Sequence, residues 1–422
     1  MKVLVLGGGV IGTATAYFLA RDGHGVEVVE RRHDVGQETT FANGGIIHVS
    51  LVEPWNEPGI ALKLLKWIGR EDSPAILRPS AIPGMLAWGR EFLRNSARAR
   101  HERHTLVNLR LALYSGAVLR ELREQTGIRY DHDTTGLLKL FRDEASLAHS
   151  AAVAERLRPH GVPHRVLDAR EVVELEPALA PVAAELQGGV HFPDDESGDA
   201  RMFTRALADE AEREGARFRY DTAIERLDAD GERITGVVTS AGRLEADAYV
   251  LALGTSSPSL ARPLGLRLPI YPVKGYSLTA PKGGWNDAPR TVVADESLKV
   301  AVTILGDRIR MAGSAEFTGY DAIPSKRRAD YIWRMARRVF PALEHHVDRA
   351  AIQPWSGLRP MTPDGPPILG ATRFRNLFLN TGHGHLGWTM ACGSARAVAD
   401  VVSGRAPAID FDGLTIERFG RG

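Results

Sequence analysis

A single cysteine, Cys392, stands among 422 residues, which excludes an internal disulfide framework and any cysteine-rich zinc site. That scarcity fits a reducing compartment, and a cytoplasmic location is the expectation. Neither charge sign dominates: 53 Lys and Arg against 52 Asp and Glu leave +1, so no global field points to nucleic acid or to a strongly acidic partner. Long apolar runs are lacking as well. The opening from Val3 to Ala20 comes nearest, but Gly7, Gly8, Gly9 and Gly12, with Thr13 and Thr15, break it, so neither a signal peptide nor a membrane span is expected. No Gly-x-Ser-x-Gly elbow occurs, which removes the simplest hydrolase reading. His345-His346 and His383-x-His385 come without carboxylates at a familiar ligand spacing, so no metal is expected. Internal repeats and low-complexity linkers are absent too, which predicts interwoven domains rather than domains strung in series.

What is present is an ordinary globular composition, 44% hydrophobic and 25% charged, long enough to bury two or three domains. Lys2 to Leu6 reads as a buried strand, Ile11 to Arg21 as a helix and Gly25 to Glu30 as a second strand, which together make one βαβ unit. From Pro58 to about Glu124 the pattern is helical and arginine-rich, interrupted by Pro74, Pro79 and Pro83. A helix over Asp199 to Gly215 leads to a strand at Ala216 to Tyr220. Alternating runs punctuated by Gly231 and Gly242 then suggest a small antiparallel crossover. Asp247 to Leu253 is nearly continuous in apolar residues and ends at Gly254, as a central parallel strand stopping beside a ligand would. Pro269 to Thr279, Leu298 to Ile304 and Arg308 to Gly313 predict an antiparallel sheet. Leu377 to Asn380 and a helix after Gly387 return the chain to the first sheet.

Gly7, Gly9 and Gly12 form G-x-G-x-x-G between the first strand and the helix. There the missing side chains permit a tight turn, close approach of a pyrophosphate and close helix packing. Val10 and Ile11 sit at the helix N-terminus, whose amides face the phosphates. Glu30 closes the second strand, where a carboxylate takes ribose hydroxyls and disfavours a 2′-phosphate. The fingerprint alone leaves NAD and FAD open. After it come Arg31 and the polar loop Glu38-Thr39-Thr40-Phe41-Ala42-Asn43-Gly44-Gly45, suited to an extended pyrophosphate and a flavin ring, where an NAD domain would start its next βα unit. Late in the chain, Asn380-Thr381-Gly382-His383-Gly384-His385-Leu386-Gly387-Trp388-Thr389 joins a strand to a helix. Its amides can hold the charge that develops on a flavin pyrimidine edge.

Across essentially its whole length the sequence resembles the D-amino-acid dehydrogenase family, within the amino-acid oxidase group of flavoproteins. The resemblance is carried by the N-terminal glycines, Glu38-Thr39-Thr40, Ala42-Asn43, the run Tyr271 to Leu278, the run Trp355 to Gly365 and, most specifically, Asn380 to Ser394. It implies noncovalent FAD, oxidative deamination to an imino acid that water converts to a 2-oxo acid and ammonia, and electron delivery to the respiratory chain through a quinone or similar acceptor. The expected fold is α/β: a Rossmann-like FAD-binding domain (1–85, 160–255 and 340–422) with a parallel sheet. A substrate-binding domain (86–159 and 256–339) on an antiparallel sheet with helices is woven through it.

Amino-acid oxidation at a flavin needs a cation for the carboxylate and a slot that aims the α-C–H at the ring. Arg359, between Leu358 and Pro360, is the candidate cation, and the resemblance places the group's carboxylate-binding arginine there. Tyr271 and Tyr276 are five apart on a strand and so face opposite ways; Tyr276 is taken as the pocket residue. His48 falls near the ring if the Ala42 to Gly45 loop covers it, and His383 and His385 stand between flavin contact and loop packing. Cys392 reads as a buried packing residue. Ile60 to Ile68, with Lys63, Lys66 and Trp67, and then Trp88, Arg90, Arg94 and Arg98, combine apolar and basic residues. Two readings stand: peripheral contact with an anionic membrane, or a helix buried on one face with solvated lysines on the other. A related flavoenzyme of secondary amines or imino acids (sarcosine, glycine, hydroxyproline), a flavin-free binding protein of the same fold and a nicotinamide-dependent dehydrogenase are the alternatives.

Overall fold

The structure, a computed structural model, describes residues 1–420, save the side chains of Lys63, Leu65 and Lys66. The two lysines expected to line a membrane-facing helix therefore lie outside the described residues. Two large sheets organise the chain. The first has six strands in the order Ile368–Ala371, Leu377–Thr381, Ala248–Leu251, Lys2–Leu6, Gly25–Val29, Arg217–Arg219. All its pairings are parallel except the outermost one, between Ile368–Ala371 and Leu377–Thr381. Its central strands are apolar on both faces because both are covered. On one side Val3, Val5, Val26 and Val28 pack against helices Val10–Arg21, Ala200–Arg213 and Gly387–Val402. On the other, Leu4, Leu6, Tyr249 and Leu251 meet Leu227, Ile234 and Val237 of the antiparallel crossover.

The second sheet runs Gln353–Met361, Tyr271–Pro281, Arg308–Phe317, Val300–Leu305, Val292–Asp295, Leu137–Phe141, Gly188–Phe192, Arg165–Asp168. The short strand Ala75–Leu77 is added alongside Arg308–Phe317. Helix Lys326–Val339 covers its back, where Ile332, Trp333 and Ala336 pack on Leu278, Val302 and Met311. The expected α/β architecture is thus present, with one parallel and one largely antiparallel sheet.

The segment boundaries differ from expectation. Strands 165–168, 188–192 and 353–361, expected with the nucleotide-binding part, pair in the second sheet, as does 75–77. Conversely, the long helix Arg98–Thr126, expected on the substrate side, packs its Leu111, Ala112 and Leu119 into the cluster that covers the first sheet. Helix Ser257–Ala261, also expected there, puts Leu260 and Ala261 against that sheet's other face. Hydrophobic periodicity identifies an element's buried face, but it does not say which of two sheets will receive it. The proline-interrupted stretch contains helices Ile60–Trp67, Ile82–Asn95 and Arg98–Thr126. No helix among the described residues is long and apolar enough to cross a membrane.

Candidate active site

A cavity of about 1290 Å³ runs between the two sheets. It exceeds the roughly 300–1,000 Å³ usual for a small-molecule site, so an extended dinucleotide and a small substrate can share it.

The glycine turn forms one end. Gly7 has φ +109°, and its amide donates to Val29 O at 2.9 Å, which ties the turn to the neighbouring strand. A Cβ on Gly12 would sit 1.8 Å from Gly7 O, so the helix can approach the strand this closely only without a side chain there. Both carboxylate oxygens of buried Glu30 are used locally: Oε2 accepts from Gly8 N at 2.7 Å and Oε1 from Arg32 N at 2.9 Å. A carboxylate has lone pairs to spare, so this anchoring still leaves acceptor capacity toward the cavity. Thr40 Oγ1 accepts from Val10 N at 3.2 Å, and Arg31 pairs with Glu38 at the rim.

The loop after the second strand is held on the second sheet through its carbonyls. Ser277 Oγ donates to Ala42 O at 2.5 Å, Arg310 Nη1 to Asn43 O at 2.7 Å and Thr303 Oγ1 to Gly44 O at 3.0 Å. Thr39 Oγ1 donates to Leu358 O at 2.8 Å, beside Arg359. The late loop is stitched to the same strand: Gly384 N donates to Pro360 O at 3.0 Å, and Met361 bridges His383. Two loops more than 300 residues apart are thereby locked to one strand end.

Arg359 lies in the cavity wall, opposite Val273 on the neighbouring strand. Its guanidinium passes directly over Gly275, where a Cβ would come within 2.4 Å of it. Nη1 donates to Ser314 O at 3.2 Å, and Cζ stands 5.4 Å from the centre of the Trp55 ring. Among the described residues no carboxylate pairs with it. Burial lowers its pKa to about 10, so it remains a cation at neutral pH with its charge uncompensated. Trp55 also stacks on His385 at 5.1 Å, and His385 lies near-parallel to His48 at 6.5 Å. Burial drives His48 down to about 4, helped by the Lys139 ammonium, and His383 and His385 to about 3; all three are neutral at pH 7. His48 Nδ1 is buried without a hydrogen-bond partner in the protein.

The cavity wall contains Gly7, Gly9, Val10, Ile11, Glu30, Arg31, Thr39, Thr40, Ala42, Asn43, Gly44, Gly254, Tyr276, Gly384, His385, Gly387, His48 and Arg359 from the sequence-predicted set. Others stand behind it. Gly12 packs against Gly7, Leu386 is core, Thr389 Oγ1 accepts from His48 N at 3.1 Å, and Gly382 makes the turn that precedes the loop. Trp388 reaches the wall, but its indole N–H is committed to Gly198 O at 3.2 Å and its ring to Phe203 and Tyr130.

Tyr276 contributes to the cavity lining, but its ring belongs to the cluster under helix Lys326–Val339, and its hydroxyl donates to buried Glu316. Tyr271 shares the face of Arg359 but is enclosed by Trp88 and Phe317. Two residues escaped the sequence reading. Trp55 sits between Pro54 and Asn56, and an aromatic in a proline-bounded loop is a weak signal. Ser314 holds φ +69°, an unusual conformation for a residue with a side chain, and no local pattern announces it.

Glycine turn, carboxylate, late helix N-terminus and a cation without a carboxylate partner facing a common cavity are the parts of a flavin-dependent oxidoreductase site. A family model described as FAD dependent oxidoreductase matches residues 2–401. A D-amino acid dehydrogenase of Paramagnetospirillum magneticum is 52% identical over 420 residues, covering 99% of each chain. Another, from Bradyrhizobium diazoefficiens, is 46% identical over 419 residues, again 99% of each. The chain belongs to the FAD-dependent oxidoreductase family, within its D-amino acid dehydrogenase branch, and FAD is its cofactor. The fold is also that of L-proline dehydrogenase from P. horikoshii (TM-score 0.78, 20% identity, 100% and 98% coverage). Glycine oxidase from Geobacillus kaustophilus shares it too (TM-score 0.77, 24% identity, 99% of each chain).

Proposed function

We propose that the protein oxidises D-amino acids to 2-oxo acids and ammonia and passes the electrons to a quinone or other respiratory acceptor. The observation that carries this reading is Arg359: a half-buried arginine without a carboxylate partner among the described residues, in the wall of the cavity that begins at the glycine turn. A cavity wall that presents an uncompensated cation is built for an anion, and the planar guanidinium fork matches a carboxylate.

The residues that would hold FAD are the turn amides of Gly7 to Ile11, Glu30, Arg31, Thr39 and Thr40, the Ala42 to Gly44 loop, Gly254 and the Gly384 to Trp388 segment. Bound there, FAD supplies the two-electron acceptor for hydride leaving the α-carbon. The protein's part is placement. Arg359 fixes the carboxylate and Trp55 shields the guanidinium from water. The neutral rings of His48 and His385 leave the amine in a low-dielectric neighbourhood that disfavours its ammonium form. A neutral amine can give up hydride directly, and water completes the conversion of imino acid to oxo acid. His48, with a free buried ring nitrogen, is the candidate contact for that amine.

Anaerobic addition of paired D- and L-amino acids to the purified yellow protein tests the reading. Bleaching by the D-enantiomer alone is expected. Bleaching only by an L-amino acid, sarcosine or hydroxyproline would replace the substrate while keeping the enzyme class.

Peripheral membrane contact is part of the proposal. Leu62 (70% exposed) and Leu86 (64%) project from neighbouring helices, with Arg90, Arg94 and Arg98 exposed nearby. Salt-sensitive liposome binding that is lost in Leu62→Ser/Leu86→Ser is the expected result; equal flotation of this variant would remove the proposal.

A further inference from the structure

Strand Arg308–Phe317 is irregular beside Arg359. Its pairing with Tyr271–Pro281 sets Gly313 opposite Tyr276 and then Glu316 opposite Lys274, so Ser314 and Ala315 together face the single residue Gly275. Two residues against one make a β-bulge, a device that re-aims the groups it carries. When the first bulge residue is left-handed it is ordinarily glycine, yet here Ser314 holds φ +69°. A serine in that conformation persists only where its surroundings hold it.

Both bulge residues are held from behind. Arg328, fully buried on helix Lys326–Val339, donates to the carbonyls of Glu71 and Ser73 at 2.9 and 3.0 Å and to Ser314 Oγ. Its guanidinium also lies over the Tyr331 ring at 4.6 Å. The amide of Ala315 donates to Pro74 O at 3.0 Å. With Oγ fixed on Arg328, the carbonyl of Ser314 accepts from Arg359 Nη1 at 3.2 Å, and the guanidinium of Arg359 lies over Gly275, the residue the bulge faces. One irregularity therefore supplies both the tether and the opening for Arg359.

We propose that Ser314, locked by Arg328, is a positioning residue for the reaction: its carbonyl sets the plane of the Arg359 guanidinium so that the fork meets the substrate carboxylate with two hydrogen bonds. The inference rests on the reading that Arg359 binds an amino-acid carboxylate. One N–H tied to a carbonyl leaves the other donors, in a fixed plane, for the two carboxylate oxygens. An untethered guanidinium must be ordered afresh by each substrate that binds, which costs up to about tenfold in affinity.

Ser314→Gly tests this, because it keeps the positive φ and removes only the hydroxyl that Arg328 holds. In the flavin-loaded protein with an artificial dye acceptor, KM for the D-amino acid should rise about tenfold while kcat stays within about threefold and flavin content and Tm stay near wild type. In an Arg359→Lys background the same change should lower kcat/KM by less than about threefold, since an ammonium has no plane to orient. An equal loss in both backgrounds, or a Ser314→Gly KM within about threefold of wild type, overturns the positioning role and leaves the carboxylate reading standing. If Arg359→Lys alone leaves kcat/KM unchanged, the carboxylate reading fails and the positioning role falls with it.

Discussion

The glycine turn and the wall that carries Arg359 face one cavity but are built by different means. The turn is local: residues 2 to 45 supply strand, helix, carboxylate and loop, and its main contacts are backbone amides and close approaches such as Gly12 to Gly7 O. The wall is assembled from afar. Arg359 depends on Gly275 for clearance, Ser314 for a carbonyl and Trp55 for an aromatic cover, from three other parts of the chain. A backbone-built site tolerates no added bulk, whereas a side-chain-built site depends on which face of each strand is turned inward. The two regions should therefore fail in different ways.

The largest expected separation comes from Arg359→Lys. It keeps the charge but loses the planar fork, so kcat/KM should fall by about a hundredfold while flavin content stays near wild type; flavin absorbance and steady-state rates read the two separately. Gly12→Ala should do the reverse to the cofactor: its Cβ cannot occupy 1.8 Å from a carbonyl oxygen, so the purified protein should carry at least about tenfold less flavin. A Gly12→Ala protein with full flavin would break the contrast.

Tyr276→Phe sharpens the comparison within the wall. The hydroxyl it removes serves Glu316 on the back of the sheet, so stability should fall by about 1–2 kcal/mol in urea titrations while kcat/KM changes less than about threefold. A drop of a hundredfold would restore Tyr276 to the substrate side.

The smallest effect is on pH dependence. His48, His383 and His385 have pKa values held below the ordinary 6.5, at about 4, 3 and 3. The unfolded chain thus binds more protons than the folded one as pH falls below 6.5, and stability declines toward pH 4. Burial of Asp195 raises its carboxyl to about 7, which works in the opposite sense between pH 3.8 and 7 and partly offsets the decline. His383→Gln should flatten the slope of Tm between pH 6.5 and 4; an unchanged slope would mean that His383 does not contribute to it.

How much of this was legible before the fold follows the same division. The cradle could be read because its logic is contiguous: a buried strand, three spaced glycines and a carboxylate at the end of the next strand. Arg359 was legible through family resemblance rather than pattern, since nothing in Leu358-Arg359-Pro360 says that its strand ends beside the late loop. The two-residue period of a strand told that Tyr271 and Tyr276 look opposite ways, but not which way is inward. That choice is made by helix Lys326–Val339, whose apolar face claims the Tyr276 side.

The account turns on one guanidinium acting on substrate and not on cofactor. The most direct measurement is an anaerobic titration of flavin-loaded Arg359→Ala with the D-amino acid that best bleaches the unmodified protein. The account predicts a protein that stays yellow at concentrations about a thousandfold above those that reduce wild type. Bleaching at the wild-type concentration would contradict it.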